Sequence, residues 1–298
     1  MSTHKTLMQA IIAAHPGLAL PVQTTTPAIF SNEAAVYRAA KQACLTLGFI
    51  EPDAECVANA WQSMTVRTGQ FNASFWPDHA TDFGMRQWPR QDAFAACPQQ
   101  LGLYAVLPDA AWVARMAKAG VPTVQLRFKS DDSQAIEREV RAAVQAVQGT
   151  DALLFINDHW QAAIDAGAYG VHLGQEDMDM ADLQKIRAAG LRLGLSSHGY
   201  TEMLRADRFS PSYIAMGAVF PTTLKRMVTA PQGTGRLHAY ARLMRDYPLV
   251  AIGGIDRSRL PEVLASGVGS VAVVRALVSA EKPEEMAASL QAAINAEV

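Results

Sequence analysis

The sequence predicts an α/β fold, a (β/α)8 TIM barrel with a mostly helical and irregular N-terminal extension. From about residue 100 onward, eight short apolar runs alternate with amphipathic ones at a steady pace. Helical crossovers between consecutive strands impose parallel pairing. Reactive side chains gather at the ends of the runs, where such a barrel builds its active site. A doubly wound open sheet is the alternative; eight units in 198 residues favour the closed barrel.

The strands fall at 101–107, 123–128, 152–156, 170–173, 191–195, 213–220, 249–252 and 270–274. Each run is too short for a typical helix and is flanked by Gly, Pro or polar residues. Helical patterns occupy 109–119, 133–147, 181–189 and 257–266. The chain therefore divides into an extension of unassigned role, 1–100, and a barrel, 101–298. Within the extension, Ser31 or Asn32 is positioned to cap a helix over 33–47, and Pro52 to open a second over 53–66. Residues 69–100 carry Trp76, Pro77, Trp88, Pro89 and Pro98 with little periodicity, as a connecting segment lying over a surface would.

Half of the 298 residues are hydrophobic and 18% are charged, which supports a sizeable core and excludes general disorder. A formal net charge of -2 argues against broad nucleic-acid binding. Cys44, Cys56 and Cys97 lack metal-like spacing and cannot all pair, as expected of a reducing, cytoplasmic setting. Lys5 and the short apolar run 7–14 imitate a signal peptide only faintly, with no clean cleavage site after them. No run is long enough to span a membrane.

In "VQLRFK", Gln125, Arg127 and Lys129 share one face of the second strand, opposite Leu126 and Phe128. A barrel strand is expected to be apolar on both faces, so three long polar groups must meet something polar at the mouth. "FINDHW" delivers Asn157 and Asp158 as the third strand ends; Asp158 could alternatively cap the next helix. "GVHLGQED" brings His172, Gly174 and Asp177. Carboxylates at adjacent strand ends, Asp158 and Asp177, can share a hard cation such as Mg2+, which retains waters and favours substrate phosphates. The fifth strand ends in Ser196, Ser197 and His198. The sixth opens into "VFPTTLKRMVTAPQGTG", with Thr222, Thr223, Lys225 and Arg226 at its base. In "AIGGID", the Gly253–Gly254 turn lets backbone N–H groups approach a phosphate closely. Arg275 follows the eighth strand. Cations and paired carboxylates around one mouth describe a metal-bound pyrophosphate site with a second phosphate near the glycines. A glycosidase dyad fits worse, because the cations would face a neutral sugar.

In order and with natural spacing, "QLRFK", "FINDHW", "YGVHLGQED", "LRLGLSSH", "YIAMGAVFPTTLK", "APQG", "VAIGGI" and "GVGSVAVV" resemble the thiamine phosphate synthase family, from residue 101 to about 280. The resemblance implies a Mg2+-dependent transferase in thiamine biosynthesis. It would join hydroxymethylpyrimidine diphosphate to thiazole phosphate, releasing pyrophosphate, with no nucleic-acid or membrane partner. It further implies that Gln125 and His172 meet the pyrimidine. Arg127, Lys129, Asn157, Ser196 and Lys225 would hold the pyrophosphate, and Asp158 and Asp177 the metal. Thr222, Thr223, Gly254 and the turn at Arg275 would face the thiazole phosphate. Two positions depart from the family pattern on that acceptor side: Leu224 replaces a hydroxyl residue, and Arg275 replaces a serine. A thiazole tautomerase-like isomerase using His198, or a non-catalytic binder of thiamine precursors, remains the alternative. In the extension, "LGFIEPDAECVANAW" faintly resembles closing helices of pyrimidine phosphate kinases, without a phosphate loop or catalytic acid.

Overall fold

The computed structural model describes residues 3–21, 28–222 and 229–296. Eight parallel strands close into a barrel: β1 (Gly102–Leu107), β2 (Thr123–Leu126), β3 (Leu153–Asn157), β4 (Gly170–Leu173), β5 (Arg192–Ser197), β6 (Tyr213–Met216), β7 (Leu249–Ile252) and β8 (Ser270–Val273). Each pairs with the next, and β8 returns to β1 with Gly102 opposite Ser270. Alternation along the strands sorts side chains into two layers. Tyr104, Val106, Phe155, Tyr213, Ala215, Val250 and Ala272 fill the barrel interior. Leu103, Ala105, Leu107, Ile156 and Val171 point outward and pack under the surrounding helices.

Local chemistry starts several of those helices. Asp109 accepts from the Trp112 backbone N–H and caps Ala110–Lys118. Asp132 accepts from Gln134 and Ala135 and caps Ser133–Ala146. Other boundaries differ from the sequence expectation. β2 stops at Leu126 rather than 128, although Arg127 N still bonds Leu107 O at 2.7 Å. β6 stops at Met216 rather than 220. Beyond it the chain turns, and Val219 and Phe220 donate to the Ile252 and Gly253 carbonyls, each at 3.0 Å. The helix expected over 181–189 shortens to Leu183–Ala188, with a separate short helix, Asp177–Met180, ahead of it, and the one over 257–266 shrinks to Leu260–Leu264.

Among the described residues, three α-helices precede the barrel: α1 (Thr3–Ala14), α2 (Ala35–Thr46) and α3 (Glu51–Thr68). Neither Ser31 nor Asn32 caps α2; Asn32 Oδ1 accepts from Ala34 N at 2.8 Å in a turn ahead of it. Pro52 lies in the first turn of α3, as its fixed φ and missing N–H favour. The segment after α3 runs under the strands' N-terminal ends. There Arg90 pairs with Asp207 at 2.6 Å, Phe94 N bonds Ser210 O, and Leu101 N donates to Ser270 Oγ at 2.7 Å. With that end covered, the C-terminal end carries the large opening. No helix among the described residues is long and apolar enough to cross a membrane.

Candidate active site

A cavity of about 780 Å³ occupies the C-terminal mouth of the barrel. Its floor is a hydrogen-bonded chain across the interior. Gln125 Nε2 donates to Asn157 Oδ1 at 2.8 Å, and the Tyr104 hydroxyl donates to Gln125 Oε1 at 2.9 Å. Tyr104 meets Tyr213 at 2.7 Å, Tyr213 meets His172 Nδ1 at 2.7 Å, and His172 Nε2 meets Ser196 Oγ at 2.8 Å. Gln125, Asn157 and His172 are at most 8% exposed, so the chain is what makes their burial tolerable.

The rim is charged. Lys129 Nζ lies 2.5 Å from Asp158 Oδ2. Asp158 has φ 63, an uncommon left-handed conformation at the exit of β3, the kind of backbone strain that concentrates at functional sites. Its backbone N–H donates to His172 O, tying the exits of β3 and β4. The alternative role, a helix cap, is not adopted; His159 precedes the helix Trp160–Ala166 without a side-chain cap. Asp177 Oδ2 accepts from Gly174 N at 3.2 Å. Burial first, then the charge and hydrogen bond of Asp158, push the Asp177 carboxyl above its ordinary range. Arg127 lines the cavity, and its guanidinium has no hydrogen-bond or ion-pair partner among the described residues.

Across the mouth, Gly253 (φ 108) and Gly254 (φ 66) form the turn after β7. The turn leaves room for the β6 exit: a Cβ on Gly254 would stand 2.6 Å from Pro221 O. Thr222, Gly254 and Arg275 all border the cavity here, with Arg259, whose guanidinium donates to Gly254 O and lies 4.4 Å from the Phe220 ring. His198 also borders the cavity and pairs with Glu202 at 2.5 Å.

The structure therefore brings Gln125, Arg127, Lys129, Asn157, Asp158 and His172 to one cavity with Asp177, Ser196, Thr222, Gly254 and Arg275. Thr223, Leu224 and Lys225 lie outside the described residues. Sequence reasoning missed Tyr104, Tyr213 and Arg259. A tyrosine at an inward barrel position was the available signal, because its buried hydroxyl demands a partner.

The donor set suits a hard divalent cation with few protein ligands. Two mutually repelling carboxylates face the cavity, and no cluster of three or more His, Cys, Asp or Glu arranged for a metal occurs among the described residues. Remaining coordination would fall to waters and phosphate oxygens, which Mg2+ accepts and zinc sites do not require.

A family model described as thiamine monophosphate synthase matches residues 103–277. A thiamine-phosphate synthase of Neisseria meningitidis is 54% identical over 199 residues, 67% of this chain and 97% of that protein. The Salmonella agona thiamine-phosphate synthase is 50% identical over 202 residues, 68% of this chain and 96% of its own length. Among solved structures, the thiamine phosphate pyrophosphorylase from Pyrococcus furiosus superposes with a TM-score of 0.59 at 28% identity, covering 66% of this chain and 97% of that one.

Proposed function

The chain belongs to the thiamine monophosphate synthase family and is a transferase that forms thiamine phosphate; from that premise we propose how its barrel mouth performs the reaction. The substrates are hydroxymethylpyrimidine diphosphate and thiazole phosphate, met in the cytoplasm without a nucleic-acid or membrane partner. One observation carries the assignment: a rim with the Lys129–Asp158 pair, Asp177 and an Arg127 that has no partner among the described residues surrounds a floor of amide, phenol and imidazole groups. A charged rim suits a diphosphate. The polar floor suits a flat, hydrogen-bonding heterocycle.

Gln125 and His172 hold the aminopyrimidine. Arg127, Lys129, Asn157 and Ser196 grip the diphosphate, joined by Lys225. Thr222, Thr223, Gly254 and Arg275 take the thiazole phosphate, the Arg275 fork offsetting the hydroxyl lost at Leu224. The carbon–oxygen bond at the pyrimidine's exocyclic methylene breaks, and its electron pair departs with the diphosphate. Arg127 and Lys129 stabilise the charge growing on the leaving oxygens. Then the thiazole nitrogen donates its lone pair to form the new carbon–nitrogen bond. Mg2+ held by Asp158 and Asp177 would neutralise part of the leaving charge. No step needs a protein nucleophile, so Ser196 has no need of a base and His198 can remain paired with Glu202.

The test supplies each substrate alone and both together, with pyrophosphate as the readout. Release that requires both supports the transferase. Conversion of the thiazole without pyrophosphate would indicate an isomerase, and binding without turnover a carrier; either would overturn the assignment.

A further inference from the structure

Residues 1–100 lie outside the family match, and the reaction above leaves them without work. They nevertheless touch the barrel beside two loops of the site. The first contact is at the exit of β5. The helix Tyr200–Asp207 begins after Gly199, which has no side chain to cap it. Asp53, from the first turn of α3, does so instead: its Oδ1 accepts from Thr201 N at 2.9 Å, and Asp53 is 4% exposed. The approach is close enough that a Cβ on Gly199 would lie 2.0 Å from Asp53 Oδ2. Gly199 is three residues after Ser196, and Trp76 Nε1 reinforces the contact with a 2.8 Å bond to Tyr200.

The second contact holds the return of the loop after β6. Arg236 is 2% exposed, and its guanidinium pairs with no carboxylate among the described residues. It donates to two carbonyls of the extension, Leu18 O at 3.0 Å and Leu47 O at 2.8 Å, and lies 3.6 Å from the Phe49 ring centroid. Its third bond reaches Gln232 Oε1 at 3.2 Å, and Gln232 N bonds Ala218 O at 2.9 Å, closing the loop's described ends. A Cβ on Gly235 would stand 2.1 Å from Gly17 O. A buried guanidinium satisfied by another segment's carbonyls is costly to leave unpaired, so the barrel surface is built for this cover.

We propose that the extension is a positioning clamp, in which Asp53 fixes the β5 exit that carries Ser196 and Arg236 fixes the return of the β6 loop. Its effect on turnover rests on the assignment of Ser196 to the diphosphate; its effect on loop order does not. The experiment uses the full chain as wild type, Asp53→Ala, Asp53→Asn and Arg236→Lys. Amide exchange and steady-state kinetics are measured below every variant's melting temperature. Exchange over residues 196–203 is expected to accelerate at least about tenfold in Asp53→Ala, which removes the cap. Asp53→Asn keeps an acceptor oxygen and should restore wild-type exchange. Arg236→Lys keeps the charge but loses the fork, and should accelerate exchange over 229–233. In parallel, kcat should fall about tenfold in Asp53→Ala and recover in Asp53→Asn. Unchanged exchange at both places overturns the clamp, even if the wild type shows no synthase activity. Faster exchange with unchanged kcat and KM in an active enzyme overturns the positioning role. If Asp53→Ala does not fold, Arg236→Lys alone decides by the same two readings.

Discussion

His172 Nδ1 lies 2.7 Å from the Tyr213 hydroxyl, and that contact determines what the other ring nitrogen can do. With Gln125 Nε2 donating to Asn157, Gln125 Oε1 accepts from Tyr104. The single Tyr104 proton is then engaged, so Tyr104 accepts from Tyr213, and Tyr213 accepts from His172 Nδ1–H. Nε2 is left to accept from Ser196 Oγ. Tyr213→Phe cuts this chain at its middle and leaves Tyr104 and His172 short of a buried partner. A stability loss of about 1–3 kcal/mol is expected. Nitrogen NMR should show the His172 ring losing its Nδ1–H preference, with kcat/KM down about tenfold, or about 1.4 kcal/mol. An unchanged tautomer and rate would show that the chain does not orient His172.

Arg127 offers a complementary test, because it is the rim cation lacking a protein partner among the described residues. Lys129 already meets Asp158, so part of its charge is answered within the protein. Arg127→Ala should therefore lower kcat by about 10²–10³, the range for losing one donor aimed at developing charge. Arg127→Lys should recover only part of this, since an ammonium lacks the planar two-point fork. Full recovery in Arg127→Lys would mean that net charge, not geometry, is what the diphosphate senses.

Barrel and rim were legible in the sequence for different physical reasons. Buried parallel strands read as continuous apolar runs, and Asp109 and Asp132 mark helix starts locally. "VQLRFK" was legible because alternating polar residues have no place in a barrel strand except at its mouth. Tyr104 and Tyr213 were not, since a tyrosine in an apolar run reads as core. Their pairing depends on barrel closure bringing β1 and β6 across from one another. Asp53 hid for the same reason: it reads as an acidic first-turn residue of α3, yet its partner is Thr201, 148 residues away.

The crowding of Asp158 and Asp177 predicts metal dependence. Burial and the neighbouring carboxylate make Asp177 reluctant to ionise, a tension that a divalent cation relieves. Chelation should abolish pyrophosphate release, and Mg2+ should restore it. Asp158→Ala should lower kcat by orders of magnitude while also freeing Lys129. Asp177→Asn should raise the Mg2+ concentration needed for half-maximal rate. Full activity in chelator would remove the metal from the reaction.

Acid stability should depend on the extension. Lys41 is 2% exposed and bonds Glu51 and Glu55, each at 2.6 Å. Burial alone would push the Glu55 carboxyl up, but bonds from Lys41, Ser31, Tyr37 and Asn59 overcome it and hold the group down at about 2, against an ordinary 4.5. A depressed carboxyl stabilises the fold above its unfolded-state value and loses that contribution as pH falls through the folded one. The loss therefore belongs between about pH 4.5 and pH 2. Glu55→Gln should be less stable than wild type at neutral pH, with the difference shrinking across that window. Urea melts of both proteins at several pH values measure it. If the two stability curves stay parallel down to pH 2, Glu55 does not ionise differently in the folded and unfolded chains, and the bonds around it do not depress its carboxyl.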